Sequence, residues 1–180
     1  IRNCDWSSDV CSSDLGFELV AWGPLGNGFE IPEVGHLVLV AGGIGQTALL
    51  ALGRERLGQA VYGPSSRTSP PRARRVTCCW GARHAGLFGG IEDFRAAGIE
   101  VHQATLDGSA GVKGTVVDLL DAVLGAGAAK AARTSEAGSV RGASSMHVAC
   151  CGPDPMMAAV ARWTAERRIP CAVSLEAPKI

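Results

Sequence analysis

The sequence has no surplus charge of either sign, few aromatic residues, no long apolar run and no metal-type cysteine spacing. Its 17 Lys and Arg balance 17 Asp and Glu over 180 residues. No net field therefore draws in a nucleic acid or an anionic membrane, and neither is expected as a partner. No apolar stretch is long enough to span a bilayer, and no signal peptide is recognisable. None of the seven cysteines stands in a C-x-x-C pair, which argues against a zinc site or a thioredoxin-type dithiol. Cys78 and Cys79, like Cys150 and Cys151, are neighbours inside apolar, strand-like runs, where consecutive side chains point to opposite sheet faces. They read as buried free thiols of a cytoplasmic protein. No His/Asp/Ser arrangement suits acid–base or nucleophilic catalysis. His36, His84, His102 and His147 read as structural, and no catalytic residue is expected.

What the chain does have is 47% hydrophobic residues and 24 glycines, enough apolar material for the core of one domain. Residues 1–15 (IRNCDWSSDVCSSDL) show neither strand nor helix period and read as a non-native or disordered tail. Beyond them the chain alternates. Short apolar runs at 36–41, 76–80, 99–105, 146–151 and 170–175 predict strands. Segments 47–57, 91–97, 116–124 and 155–167 predict helices, with Gly98 closing the second and Pro155 in the first turn of the fourth. Such alternation implies parallel pairing through right-handed crossovers, hence an α/β, doubly wound sheet of about five parallel strands. Residues 63–75 (GPSSRTSPPRARR) and 125–145 (GAGAAKAARTSEAGSVRGASS) read as loop insertions, the second with a frayed helix near 126–132.

Ligands of such sheets bind beyond the strand C-termini, and three segments lie there. Gly42-Gly43-Ile44-Gly45-Gln46-Thr47 joins the first strand to the first helix. Its glycines let the backbone N–H groups approach a pyrophosphate at a helix N-terminus, although a plain tight turn reads the same way. The acid that a dehydrogenase carries about twenty residues on is replaced by the arginine-rich loop. Asp107-Gly108-Ser109-Ala110-Gly111-Val112-Lys113-Gly114 follows the third strand. It is either a structural turn or one from which Ser109 and Lys113 reach a phosphate or ribose. Cys151-Gly152-Pro153-Asp154-Pro155-Met156 leaves the fourth strand sharply; the Cys151 sulfur either faces the cleft, the reading preferred here, or is simply buried ahead of a turn.

Together with Gly81-Ala82-Arg83, these segments resemble the nucleotide lobe of the ferredoxin–NADP reductase superfamily, in which a glycine loop, a Gly-Ala-Arg turn and a Cys-Gly-Pro-x-x-Met turn line one cleft. With Gly23-Pro24-Leu25-Gly26-Asn27-Gly28-Phe29 and Val173-Ser174-Leu175-Glu176 added, residues 16–176 are similar to the electron-transfer subunits of two-subunit, NAD-dependent dihydroorotate dehydrogenases. The resemblance implies a flavin-dependent NAD(P)H oxidoreductase subunit that passes electrons from NADH to FAD and on to a [2Fe-2S] cluster. The cluster then exchanges them with the dihydroorotate dehydrogenase catalytic subunit that makes orotate, in pyrimidine biosynthesis. On that pattern Gly42, Gly43 and Gly45, with Gln46 and Thr47 behind them, approach the pyrophosphate. Arg83 lies by the adenosine end, with Asp107 and Ser109 also on the cofactor. Cys151, Gly152 and Pro153, completed by Met156, border the nicotinamide, and Gly26, Asn27 and Gly28 edge the flavin site.

The resemblance divides the chain into the end of a flavin-binding barrel at 16–34, a pyridine-nucleotide-binding domain at 35–176 and a cut at 177–180, ahead of the family's cluster loop. FAD and cluster sites are then expected largely outside this fragment, which by itself should be inactive and colourless. Leu106 stands where the family often carries an acid. Two other readings stay open: a related reductase subunit serving a hydrogenase or glutamate synthase, and a nucleotide-sensing module without turnover. The choice between NAD and NADP is open as well.

Overall fold

The computed structural model describes residues 28–62, 70–134 and 146–175. The expectations for residues 1–15, Gly26, Asn27, 63–69, 135–145 and 177–180 lie outside those residues. The elements follow as β1 (Val34–Gly42), α1 (Gln46–Arg56), β2 (Ala73–Ala82), α2 (Ile91–Ala96), β3 (Glu100–Thr105), β4 (Val112–Lys113), α3 (Val116–Thr134), β5 (Met146–Cys151), α4 (Asp154–Glu166) and β6 (Cys171–Val173).

The strands form one sheet in the order β4-β3-β2-β1-β5-β6, with every pairing parallel. Parallel sheets need both faces covered, and the apolar run of β1 serves both. Leu37, Leu39 and Ala41 join Leu49 and Leu52 of α1 and Phe94 of α2 in one buried cluster. Val38 and Val40 join Leu119 and Leu120 of α3 and Val160 and Trp163 of α4 in another. Trp80, buried on the first face, is met edge-on by Phe88 at 5.3 Å and by the tilted ring of Phe94 at 5.8 Å. The sparse aromatics are thus concentrated where one helix is only six residues long and needs bulk to hold it.

Sequence order runs outward from β1 to β2, β3 and β4 on one side and resumes with β5 and β6 on the other. The topological switch point therefore lies between β1 and β5, and a crevice opens there beyond the strand ends. Gly42 and Cys151, which terminate those two strands, begin the two turns that flank it; Ala41 is directly opposite Cys151 in the ladder.

Three boundaries differ from the sequence expectation. A sixth strand, β4, pairs with β3 inside the glycine turn; two residues are too few to register as an apolar run. Helix α3 continues from the expected end at 124 to Thr134, so that the frayed helix expected near 126–132 is part of it, because alanine, lysine and arginine extend a helix without an apolar stripe. Strand β2 begins at Ala73, within the stretch read as an insertion, and pairs Ala73 with Val34. Among the described residues no helix is long and apolar enough to cross a membrane.

Two histidines make stability depend on pH. His36 shares a 2.8 Å hydrogen bond with Thr77 Oγ1, and burial together with the nearby Arg75 lowers its pKa from 6.5 to about 4. Burial, then Arg56, also lowers that of His147. The unfolded chain takes up these protons first, so stability is complete above about pH 6.5 and falls as pH drops towards 4. Hydrogen bonds, led by those from Arg75, Ser109 and Thr115 respectively, hold the carboxylates Glu100, Asp107 and Asp118 below the usual carboxylate range, so they act below most of that window. Urea midpoints measured from pH 8 to pH 4 are expected to hold steady to about 6.5 and then decline, with a shallower decline in His36→Gln. A midpoint independent of pH between 6.5 and 5 contradicts this.

Candidate functional site

A cleft of about 310 Å³ opens at the C-terminal edge of the sheet. That is the low end of the range of about 300–1,000 Å³ typical of small-molecule sites. It is reached by Gly42 and Gly43 from the β1 turn, Gly81, Ala82 and Arg83 from the end of β2, and Pro153 and Met156 from the β5 turn. The glycine turn, the Gly-Ala-Arg turn and the Gly-Pro turn therefore face one crevice.

The approach of these turns depends on two missing side chains. A methyl group on Gly45 would lie 2.5 Å from the carbonyl carbon of Cys151, closer still to its oxygen, and 2.9 Å from the Gly152 nitrogen. A methyl group on Gly42 would lie 2.9 Å from Pro153 Cδ and would overlap the Met156 sulfur. Beyond the turn, α1 begins at Gln46; Thr47 is exposed and its hydroxyl donates to the Ile44 carbonyl at 3.0 Å. Gly28 is exposed, and Gly26 and Asn27 are outside the described residues.

The sulfur of Cys151 is placed differently from the expectation. Alternation along β5 sends Cys150 to the α3–α4 face and Cys151 to the α1 face, where it packs half-buried against the cluster containing Leu39 and Ala41. Its backbone meets the Gly45 turn, and its side chain is not among those lining the cleft.

Asp107 and Ser109 are also exposed and outside the lining. Asp107 Oδ1 accepts hydrogen bonds from the Ser109 N–H at 2.9 Å and the Ser109 hydroxyl at 2.6 Å, which hold its pKa below the usual carboxylate value. Ser109 Oγ in turn accepts from the Ala85 N–H at 2.8 Å. The Leu106 N–H donates to Ala82 O at 3.2 Å and that of Asp107 to Arg83 O at 3.3 Å. These bonds join the turns after β2 and β3 and fix the backbone that carries Arg83.

The far wall was not foreseen. Leu87 and Leu106, 49% and 55% exposed, line it together with Gly114, Thr115 and Val116 at the start of α3. Thr115 caps that helix: Asp118 Oδ2 accepts from the Thr115 N–H and hydroxyl, each at 2.7 Å. The T-x-x-D spacing at 115–118 was a legible capping signal for this helix start, whereas nothing in the sequence marked Leu87, and Leu106 stood out only as a departure from the family's acid.

No protein-family model matches the chain. Among curated proteins it is 33% identical over 155 residues to the probable dihydroorotate dehydrogenase B (NAD(+)), electron transfer subunit, of Methanothermobacter thermautotrophicus, covering 86% of this chain and 46% of that protein. It is 29% identical over 154 residues to the corresponding subunit of Caldanaerobacter subterraneus subsp. tengcongensis, covering 86% and 48%. The chain thus spans about half the length of the curated relatives it matches. Among solved structures, the NADH-dependent reduced ferredoxin-NADP oxidoreductase studied for flavin-based electron bifurcation aligns with TM-score 0.59 and 25% identity, over 88% of this chain and 47% of that one.

Proposed function

We propose, for a chain that belongs by sequence with the electron transfer subunits of dihydroorotate dehydrogenase B and by fold with ferredoxin reductase-type proteins, that it is the pyridine-nucleotide-binding part of such a subunit. In the whole protein electrons pass between NADH, FAD and a [2Fe-2S] cluster and reach a dihydroorotate dehydrogenase catalytic subunit, in the cytoplasmic synthesis of pyrimidines. The observation that carries the reading is the junction at the switch point, where the backbone of Gly45 abuts that of Cys151 and Gly152 beside one cleft.

The residues fit a dinucleotide. Gly42 and Gly43 leave the backbone bare where a pyrophosphate approaches the N-terminus of α1. On this reading one nucleotide half lies over β5, beside Pro153 and Met156, and the other over β2 and β3, beside Arg83 and Leu106, a span that the sheet order and the lining of the cleft support. From β5 to β3 is three strand spacings, about 14 Å. NADH bound there supplies a hydride to a flavin, and the chain's part is to orient the ring and keep water from it. Among the described residues that line the cleft there is no acid–base pair, and hydride transfer needs none.

The described residues do not fit a cluster: no three His, Cys, Asp or Glu side chains among them could hold a metal ion. Burial pushes the Cys79 and Cys150 thiols up to about 12, far from the thiolate that iron requires. No step through a cluster is therefore assigned to them. Titration of the chain with NADH, followed by nicotinamide fluorescence, is expected to show saturable binding that ADP-ribose displaces. Failure of both nucleotides to bind at millimolar concentration refutes the proposal.

A further inference from the structure

Resting on that reading of the cleft, we propose that its β2–β3 end holds the nucleotide's base by apolar contact with Leu87 and Leu106 and leaves the base's hydrogen-bonding edge unread. Dinucleotides that differ in the purine are then accepted alike. Of the six large apolar side chains exposed among the described residues, Leu87 and Leu106 are the two that line the cleft, and the buried Val116 lines it with them. Leu87 ends the short 3-10 turn that follows β2, and Leu106 comes directly after β3. Both therefore stand at the strand ends over which one nucleotide half lies. A flat base laid on them takes two leucines out of water. That gain scales with the area covered and is blind to the polar groups the base carries at its rim.

The polar groups of that wall are already used within the protein. The Leu87 N–H donates to His84 O at 3.2 Å, the Leu106 N–H to Ala82 O at 3.2 Å and the Gly114 N–H to Thr105 O at 3.0 Å. Thr115 is engaged at both of its groups. Its N–H and hydroxyl donate to Asp118 Oδ2, each at 2.7 Å, and the hydroxyl accepts from the Asp118 N–H at 3.4 Å. Asp118 itself does not line the cleft, and Arg83 is the one ionisable side chain that does. A guanidinium only donates, so it offers no acceptor to the 6-amino group of adenine. That amino group finds no side-chain partner on the wall, and its loss leaves no group of the wall unpaired. A site that hydrogen-bonds a substrate group rejects an analogue lacking it by about 10⁴-fold or more, because its own polar groups are then orphaned. A wall of two leucines and a valine imposes no such penalty.

The test titrates the unmodified chain with NADH and with its reduced hypoxanthine analogue, in which a 6-oxo group replaces the 6-amino group, both followed by nicotinamide fluorescence. The two are expected to bind within about fivefold of each other. Leu87→Ser and Leu106→Ser change exposed positions outside the sheet and the α-helices, and circular dichroism verifies that the variants are folded. Each is expected to weaken both dinucleotides about tenfold and to leave their ratio unchanged. If NADH binds and the analogue differs from it by more than about fivefold in either direction, the base's edge is read, and the proposal is overturned with nucleotide binding intact. Undiminished NADH binding by either folded variant overturns it as well, since the base then lies elsewhere. Failure of both dinucleotides to bind overturns it together with the reading on which it rests.

Discussion

Gly45→Ala is expected to cost about 3 kcal/mol or more and to lower the melting temperature by on the order of 10 °C. The added methyl group would meet the Cys151 carbonyl and the Gly152 nitrogen, with 2.9 Å to the latter. All of these atoms are backbone, held by the β1–β5 ladder on one side and by the start of α1 on the other. Neither can swing away as a side-chain end would. To reach ordinary van der Waals separation, α1 must move about 1 Å from the β5 exit, which breaks close packing along its buried face. Gly43→Ala provides the comparison. Its φ of 56° disfavours a side chain, yet nothing lies within 4 Å of the added carbon, so the expected cost is only about 1–2 kcal/mol. If thermal melts show Gly43→Ala to be the more damaging of the two, the close approach of the two turns is not what the fold depends on.

The second large effect belongs to Arg56, at the end of α1 and only 1% exposed. Its Nη1 donates to the Ile31 carbonyl at 2.7 Å and to the Pro71 carbonyl at 3.2 Å, and its Nη2 to the Phe29 carbonyl at 3.3 Å. One guanidinium thereby ties the segment that enters β1 to the one that enters β2, and so sets the strands whose far ends bear the cleft. Arg56→Met matches the bulk but leaves buried carbonyls without donors, at about 1–3 kcal/mol for each one that water cannot reach. The expected loss is about 3 kcal/mol or more, of a total on the order of 5–15 kcal/mol. Arg56→Lys should recover less than half, because an ammonium cannot span carbonyls that a planar fork reaches together. Urea denaturation of the two variants measures both quantities, and an unchanged midpoint in Arg56→Met would contradict this role.

Much of this fold was readable from residue order because each signal had a local cause. The run Leu37 to Ala41 is apolar at every position since both sheet faces need it, and Pro155 and Gly98 mark helix ends through their own backbone preferences. The glycine turn and the Cys-Gly-Pro turn were recognisable for the same reason, and the sheet order brings them together. What escaped depends on distance in the sequence. Strand β4 exists only because β3 lies beside it. The inward face of Leu106 is set by pairing with Ala82, and the orientation of Cys151 by strand parity counted from a ladder that the sequence does not display. Asp107 and Ser109 were legible as a polar turn, but their engagement with each other and with Ala85 needed coordinates. Arg56 stood out least, as one arginine among several at the end of a helix.

The account turns on a nucleotide lying across the strand ends between the two facing turns, and amide chemical-shift mapping during titration with NADH tests that most directly. Shifts are predicted to concentrate at Gly42, Gly43 and Gly45, at Gly81 to Arg83 and at Gly152 to Met156, with the opposite edge of the sheet around Val34, Arg75 and Met146 unchanged. Perturbations confined to that opposite edge, or to only one of the two turns, would contradict it.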